Sequence, residues 1–134
     1  MSVTALYLLA VALGGAVGGA ARVAVSSGVG RVLGEGFPWG TLVVNVTGAG
    51  LIGVAAALAL PDGVDSIEER GRWALLVVGV LGSYTTVSSF SLETLVLLQS
   101  GEPGRAAANV AASVGLCLGA AAAAYLGVGC MVRA

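Results

Sequence analysis

Between Ser83 and Ser91 the chain carries seven hydroxyl side chains, Ser83, Tyr84, Thr85, Thr86, Ser88, Ser89 and Ser91, and the carboxylate of Glu93 follows two residues later. Gly79 and Gly82 stand just before the run. Serine and threonine offer the backbone local hydrogen bonds that compete with a helix, and glycine lowers the resistance to a bend. The surrounding residues are apolar, so the pattern predicts a helix that interrupts itself inside a membrane. Such a break is tolerated only where protein or a wet cavity satisfies the freed amides and carbonyls. Discontinuous membrane helices use the same freed groups to coordinate ions. The chemistry expected here is therefore ion binding by neutral donors and carbonyls.

Other polar residues inside apolar runs extend this set. Thr41 and Asn45 are four apart, as are Asn109 and Ser113, so each pair shares one helix face. The Asn45 amide offers donors and an acceptor, and it either joins helices or lines a polar path. Asn109 and Ser113 face the same two readings. Thr86, Phe90 and Glu93 lie at i, i+4 and i+7 on one face, and Ser89 is four residues before Glu93. Glu93 is either an intramembrane carboxylate, a functional signal in its own right, or an interfacial one satisfied by water. Arg22 interrupts the first apolar run; it either snorkels to the interface or faces carbonyls or an anion at a vestibule.

These residues sit on elements that composition defines. The chain has 134 residues, 57% of them hydrophobic and 10% charged, where soluble domains carry about 25% charged residues. Its mean hydropathy is +1.00. Four uncharged runs, Ser2–Ala21, Gly36–Pro61, Trp73–Leu92 and Ala106–Val132, each reach the roughly 20 residues that span a hydrocarbon core. The expectation is an all-α integral membrane protein in a single domain of four transmembrane helices, about 3–33, 37–61, 71–100 and 104–132, with the third broken. The segment from Asp62 to Arg72 reads as a solvated connector. No basic residue precedes Arg22 and three more apolar runs follow, so the first run reads as a span rather than a secretory signal.

Several chemistries are excluded. There is no histidine, hence no imidazole relay or histidine metal site, and the net charge of −1 provides no basic stripe for nucleic acid. Cys117 and Cys130 lack metal-ligand spacing and read as small apolar helix residues. Gly48-Ala-Gly50-Leu-Ile-Gly53 matches a dinucleotide fingerprint, and Asn45-Val-Thr47 a glycosylation acceptor, but both lie inside a membrane run. Gly14/Gly18 and Gly15/Gly19 form two overlapping small-xxx-small pairs suited to close helix approach. Four crossings put Arg70, Arg72 and Arg133 on one side and Arg31 and Arg105 on the other. That balance is nearly neutral. It is resolved either by the first helix or by insertion in both orientations, which permits an antiparallel dimer.

Three motifs carry a family resemblance: Gly14-Gly15-x-x-Gly18-x-x-x-Arg22; Gly40-Thr41-Leu42-x-Val44-Asn45-x-x-Gly48 with Gly53; and Gly79-x-x-Gly82-x-x-Thr85-Thr86-x-Ser88-x-Phe90-Ser91-x-Glu93. In this order, over nearly the whole chain, the sequence resembles the Fluc (CrcB) family of fluoride channels. The resemblance implies a multi-pass protein of the cell membrane, a dual-topology antiparallel homodimer with two fluoride pores. It also implies a structural, untransported Na+ at the dimer centre, held by the main-chain carbonyls of Gly82 and Thr85. Asn45 and Phe90 would line the pore with Thr41, Thr86, Ser88, Ser113 and Glu93 along the track, and Arg22 would stand near the entrance. Neutral donors suit this task, because they replace the water of a strongly hydrated anion without trapping it. Aromatic ring edges can also face an anion.

The sequence departs from the family pattern at three positions. Val87 stands where the third motif usually has Phe, Val23 where an aromatic is common, and Asn109 where a Tyr is often found. The lost rings suggest a second reading, one subunit of a heterodimeric channel whose partner completes a pore. A small four-helix drug/proton antiporter is a further alternative, although such a transporter keeps its carboxylate in the first helix, where this chain has only glycine and alanine. A non-transporting membrane scaffold would leave the hydroxyl run and Asn45 without purpose.

Overall fold

A computed structural model describes residues 2–34, 36–59 and 66–133. Helix α1 (Val3–Leu33) is opened by the Ser2 hydroxyl, which accepts from the Ala5 amide, and closed at Gly34, whose φ of 82° only glycine adopts without strain. Helix α2 (Trp39–Ala59) follows a short turn through Phe37 and Pro38. The expected end of this helix at residue 61 lies outside the described residues, as does the connector up to residue 65.

The third span begins earlier than the sequence suggests. Ser66 and Glu69 form a reciprocal capping box that starts α3 (Ile67–Trp73), so the later part of the expected connector is helix. Next comes a π-helical stretch (Ala74–Leu81), then one α turn, α4 (Gly82–Tyr84). Thr85 and Thr86 are both extended, with ψ of 157° and 123°, and the chain re-enters α5 (Val87–Gln99). The interruption therefore falls inside the hydroxyl run. α5 ends in a Schellman turn, with Gly101 at φ 75°, the Glu102 amide on the Leu97 carbonyl and the Gly101 amide on that of Leu98. Pro103 then opens α6 (Pro103–Arg133), where its missing N–H costs nothing.

Among the described residues every regular element is helical, and four spans are long and apolar enough to cross a membrane: Val3–Leu33, Trp39–Ala59, Ile67–Gln99 and Pro103–Val132. α1 packs against the π stretch and α4, α2 packs along α6, and α5 also meets α6. Backbone approach sets two of these contacts. A Cβ on Gly14 or Gly18 would strike the backbone of the π stretch at Leu75, Gly79 and Val80, and one on Gly53 would strike that of Ala121 in α6. Little apolar surface is buried within the chain: Leu42, Val44, Ala57 and Ala106 are the buried apolar residues among those described. Helices apolar all round belong in lipid or against another protein surface.

Candidate functional site

The break is built by two spans together. Thr86 leaves the helix, so its amide and carbonyl lose their regular partners, and the Asn45 side chain on α2 takes both. The Thr86 amide donates to Asn45 Oδ1 at 2.8 Å, and Asn45 Nδ2 donates to the Thr86 carbonyl at 2.8 Å. An amide side chain thus imitates a neighbouring strand, which is how a membrane-buried interruption avoids orphaned polar groups. The Thr86 hydroxyl caps α5 by accepting from the Ser89 amide at 3.2 Å, and it also lies within hydrogen-bonding distance of the Ser88 and Ser89 hydroxyls. One face of the break is therefore a knot of hydroxyls fixed by a single cap.

Around this knot the polar residues divide between three neighbouring spaces. A cavity of 220 Å³ is bordered by Arg22 and Ser26 of α1, Thr41 of α2, and Thr86 and Ser89. Arg22 makes no ion pair among the described residues, so the one cationic residue bordering this space has no carboxylate partner. Ser26, Thr41 and Ser89 also border a wider vestibule of 680 Å³, which reaches Arg31, Trp39 and Glu93. There the buried Thr41 hydroxyl donates to Glu93 Oε1 at 2.7 Å, while Glu93 Oε2 is buried without a hydrogen-bond partner.

The third space, 560 Å³, lies across the break and is mostly apolar. Asn45, Gly82, Thr85, Val87, Phe90 and Ser113 are among its walls. Ser113 contacts Asn109 Oδ1 at 3.5 Å, and Asn109, only 1% exposed, donates to Thr94 Oγ1 at 2.9 Å. Asn109 thus bonds across helices, tying α6 to α5.

The shared helix face of Thr86, Phe90 and Glu93 opens on two different spaces. Glu93 joins Thr41 in the vestibule, Phe90 joins Asn45 and Ser113 in the apolar cavity, and Thr86 touches both sides of the break. Ser88 is exposed, its hydroxyl turned to Thr86. Four polar residues of these cavities are not among the pore or metal candidates from sequence: Ser26, Ser27, Arg31 and Ser89. Ser26 had a signal, since it lies one helical turn after Arg22 on the same face. Among the described residues no three acidic, cysteine or histidine side chains cluster as metal ligands.

Comparison with known proteins agrees with this architecture. Residues 9–128 match the family profile described as CrcB-like protein, Camphor Resistance (CrcB). The chain is 51% identical over 119 residues to the Fluoride-specific ion channel FluC 2 of Bradyrhizobium diazoefficiens, covering 89% of this chain and 86% of that one. It is 52% identical over 113 residues to the Fluoride-specific ion channel FluC of Opitutus terrae, covering 84% of each. With the Fluoride-specific ion channel FluC 4 of Brucella abortus the identity is 48% over 129 residues, 96% of this chain and 94% of the relative. A profile match over most of its length, with relatives near half identity that span almost as much, makes this chain a member of the CrcB family.

Proposed function

We propose that the chain is a subunit of a fluoride channel in the cell membrane, assembled as an antiparallel pair of identical chains around a structural sodium ion. The observation that carries the reading is the pair of spaces on either side of Thr86, one bordered by the unpaired Arg22 and by hydroxyls, the other mostly apolar with Asn45, Phe90 and Ser113 in its wall. Arg22 draws an anion inward, and the hydroxyls of Ser26 and Ser89 replace its water, with Thr41 bordering the same space. Beyond the break, the edge of Phe90, the second N–H of Asn45 and the hydroxyl of Ser113 receive it. Neutral donors hold the ion weakly enough for it to leave. Ser88 and Glu93 flank this track, with Glu93 held by Thr41.

The main-chain oxygens of Gly82 and Thr85 fit a sodium ion. Both residues border the apolar cavity, and no backbone amide among the described residues donates to either carbonyl. Carbonyls of unwound membrane helices are suitable ligands for sodium. A twofold mate would bring a second set, and a cation on that axis would raise the potential felt by anions in both pores.

The test is an electrode recording of fluoride release from vesicles containing this protein alone, with and without sodium. Release that depends on sodium supports the reading; vesicles sealed to fluoride under every cation refute it. One observation favours a second reading. Val87, 77% exposed beside Phe90, leaves open wall where the family motif usually has a ring. A heterodimer with a related subunit would supply that ring from the partner, and only the mixed pair would then conduct.

A further inference from the structure

Resting on the cation reading of the break, we propose that Asn45 and the Thr86 hydroxyl are positioning residues for sodium, because they divert the two amides that would otherwise occupy the Gly82 and Thr85 carbonyls. In a continuous helix each carbonyl accepts from the amide four residues later. The natural partner of the Gly82 carbonyl is the Thr86 amide, and that amide donates to Asn45 Oδ1 at 2.8 Å. The natural partner of the Thr85 carbonyl is the Ser89 amide, and that amide donates to the Thr86 hydroxyl at 3.2 Å. One side chain on α2 and one at the break thus each remove a single competing donor. Between them they leave both carbonyls, of residues that border the 560 Å³ cavity, without a helical donor.

The same bonds explain why the arrangement persists. A buried amide without an acceptor is costly, so each amide must be accepted by something. Remove the Asn45 acceptor, and the Thr86 amide falls back on the Gly82 carbonyl, its partner in a continuous helix. Remove the Thr86 hydroxyl, and the Ser89 amide returns to the Thr85 carbonyl. In either case a cation ligand becomes a helix acceptor, in both subunits at once.

The test measures sodium binding apart from conduction. The melting temperature of the purified full-length protein in detergent is titrated with NaCl, with N-methylglucamine chloride holding ionic strength constant; a ligand of the folded state raises it. Asn45→Leu and Thr86→Val should each raise the half-saturating sodium concentration at least ~10-fold, the scale of one lost hydrogen-bond-strength interaction. Thr86→Ser should restore the wild-type midpoint. Asn45→Asp still accepts from the Thr86 amide, so it should keep the sodium response while its added charge stops fluoride release. Unchanged midpoints in folded Asn45→Leu and Thr86→Val, or a lost response in Asn45→Asp, would overturn the proposal. A wild-type protein indifferent to sodium would overturn the cation reading beneath it as well.

Discussion

The contact of α1 with the π stretch yields a prediction whose size follows from the coordinates. A Cβ added at Gly18 would lie 3.0 Å from Val80 Cα and 2.9 Å from its carbonyl carbon, and would press on the carbonyl oxygen too. These are backbone atoms, so no rotamer change relieves the clash and the two segments must part. Overpacking of this kind costs about 1–3 kcal/mol. Gly19, the next residue on α1, has no neighbour within 4 Å of its added Cβ. Gly→Ala in a helix gains up to about 1 kcal/mol from propensity alone, and that gain is common to both positions. Gly18→Ala should therefore be less stable than Gly19→Ala by about 1–3 kcal/mol, with propensity cancelled. Thermal unfolding of both variants in one detergent measures the difference. Equal stability would refute the close approach of α1 to Val80.

Three further outcomes follow from the site. Thr41→Val removes the 2.7 Å donor to a carboxylate whose other oxygen already lacks a partner; the expected loss is about 1.5–3 kcal/mol, absent in Thr41→Ser, and a melt as stable as wild type would contradict it. Val87→Phe fills exposed wall beside Phe90 and should speed fluoride release from vesicles containing the protein alone; an unchanged rate would mean that this wall does not limit conduction. Asn109→Leu breaks the 2.9 Å bond to Thr94 and should cost roughly 0.6–2 kcal/mol. A double-mutant cycle with Thr94→Val checks that the loss is this one pair, since non-additivity isolates it.

Much of the architecture is legible in the residues because membranes impose length and polarity so strongly. Four uncharged runs give four spans, and hydroxyls beside glycines mark the interruption. The π stretch is not legible: Ala74-Leu-Leu-Val-Val-Gly-Val-Leu81 is a plain apolar run. Its register accompanies the close approach to Gly14 and Gly18 on another helix, a tertiary contact without a local signal. The two small-xxx-small pairs look equivalent in sequence, yet Gly14 and Gly18 meet backbone while Gly19 meets open space. Asn45 is recognisable as an amide inside a membrane run, but the sequence leaves both its readings open. Its pairing with Thr86 depends on a partner 41 residues away. The bond between Thr41 and Glu93, 52 residues apart, is hidden for the same reason.

The dependence of the interruption on Asn45 also constrains how the protein is made. Asn45 enters the bilayer on the second span, while the Thr86 backbone that completes its bonds is 41 residues further along the nascent chain. At about 5–20 residues per second, synthesis leaves that amide unmatched for roughly 2–8 s. Over that interval the second span must stay beside the translocon, the first span or water, since hydrocarbon offers the amide no substitute. The second and third spans are therefore expected to enter lipid as a joint unit.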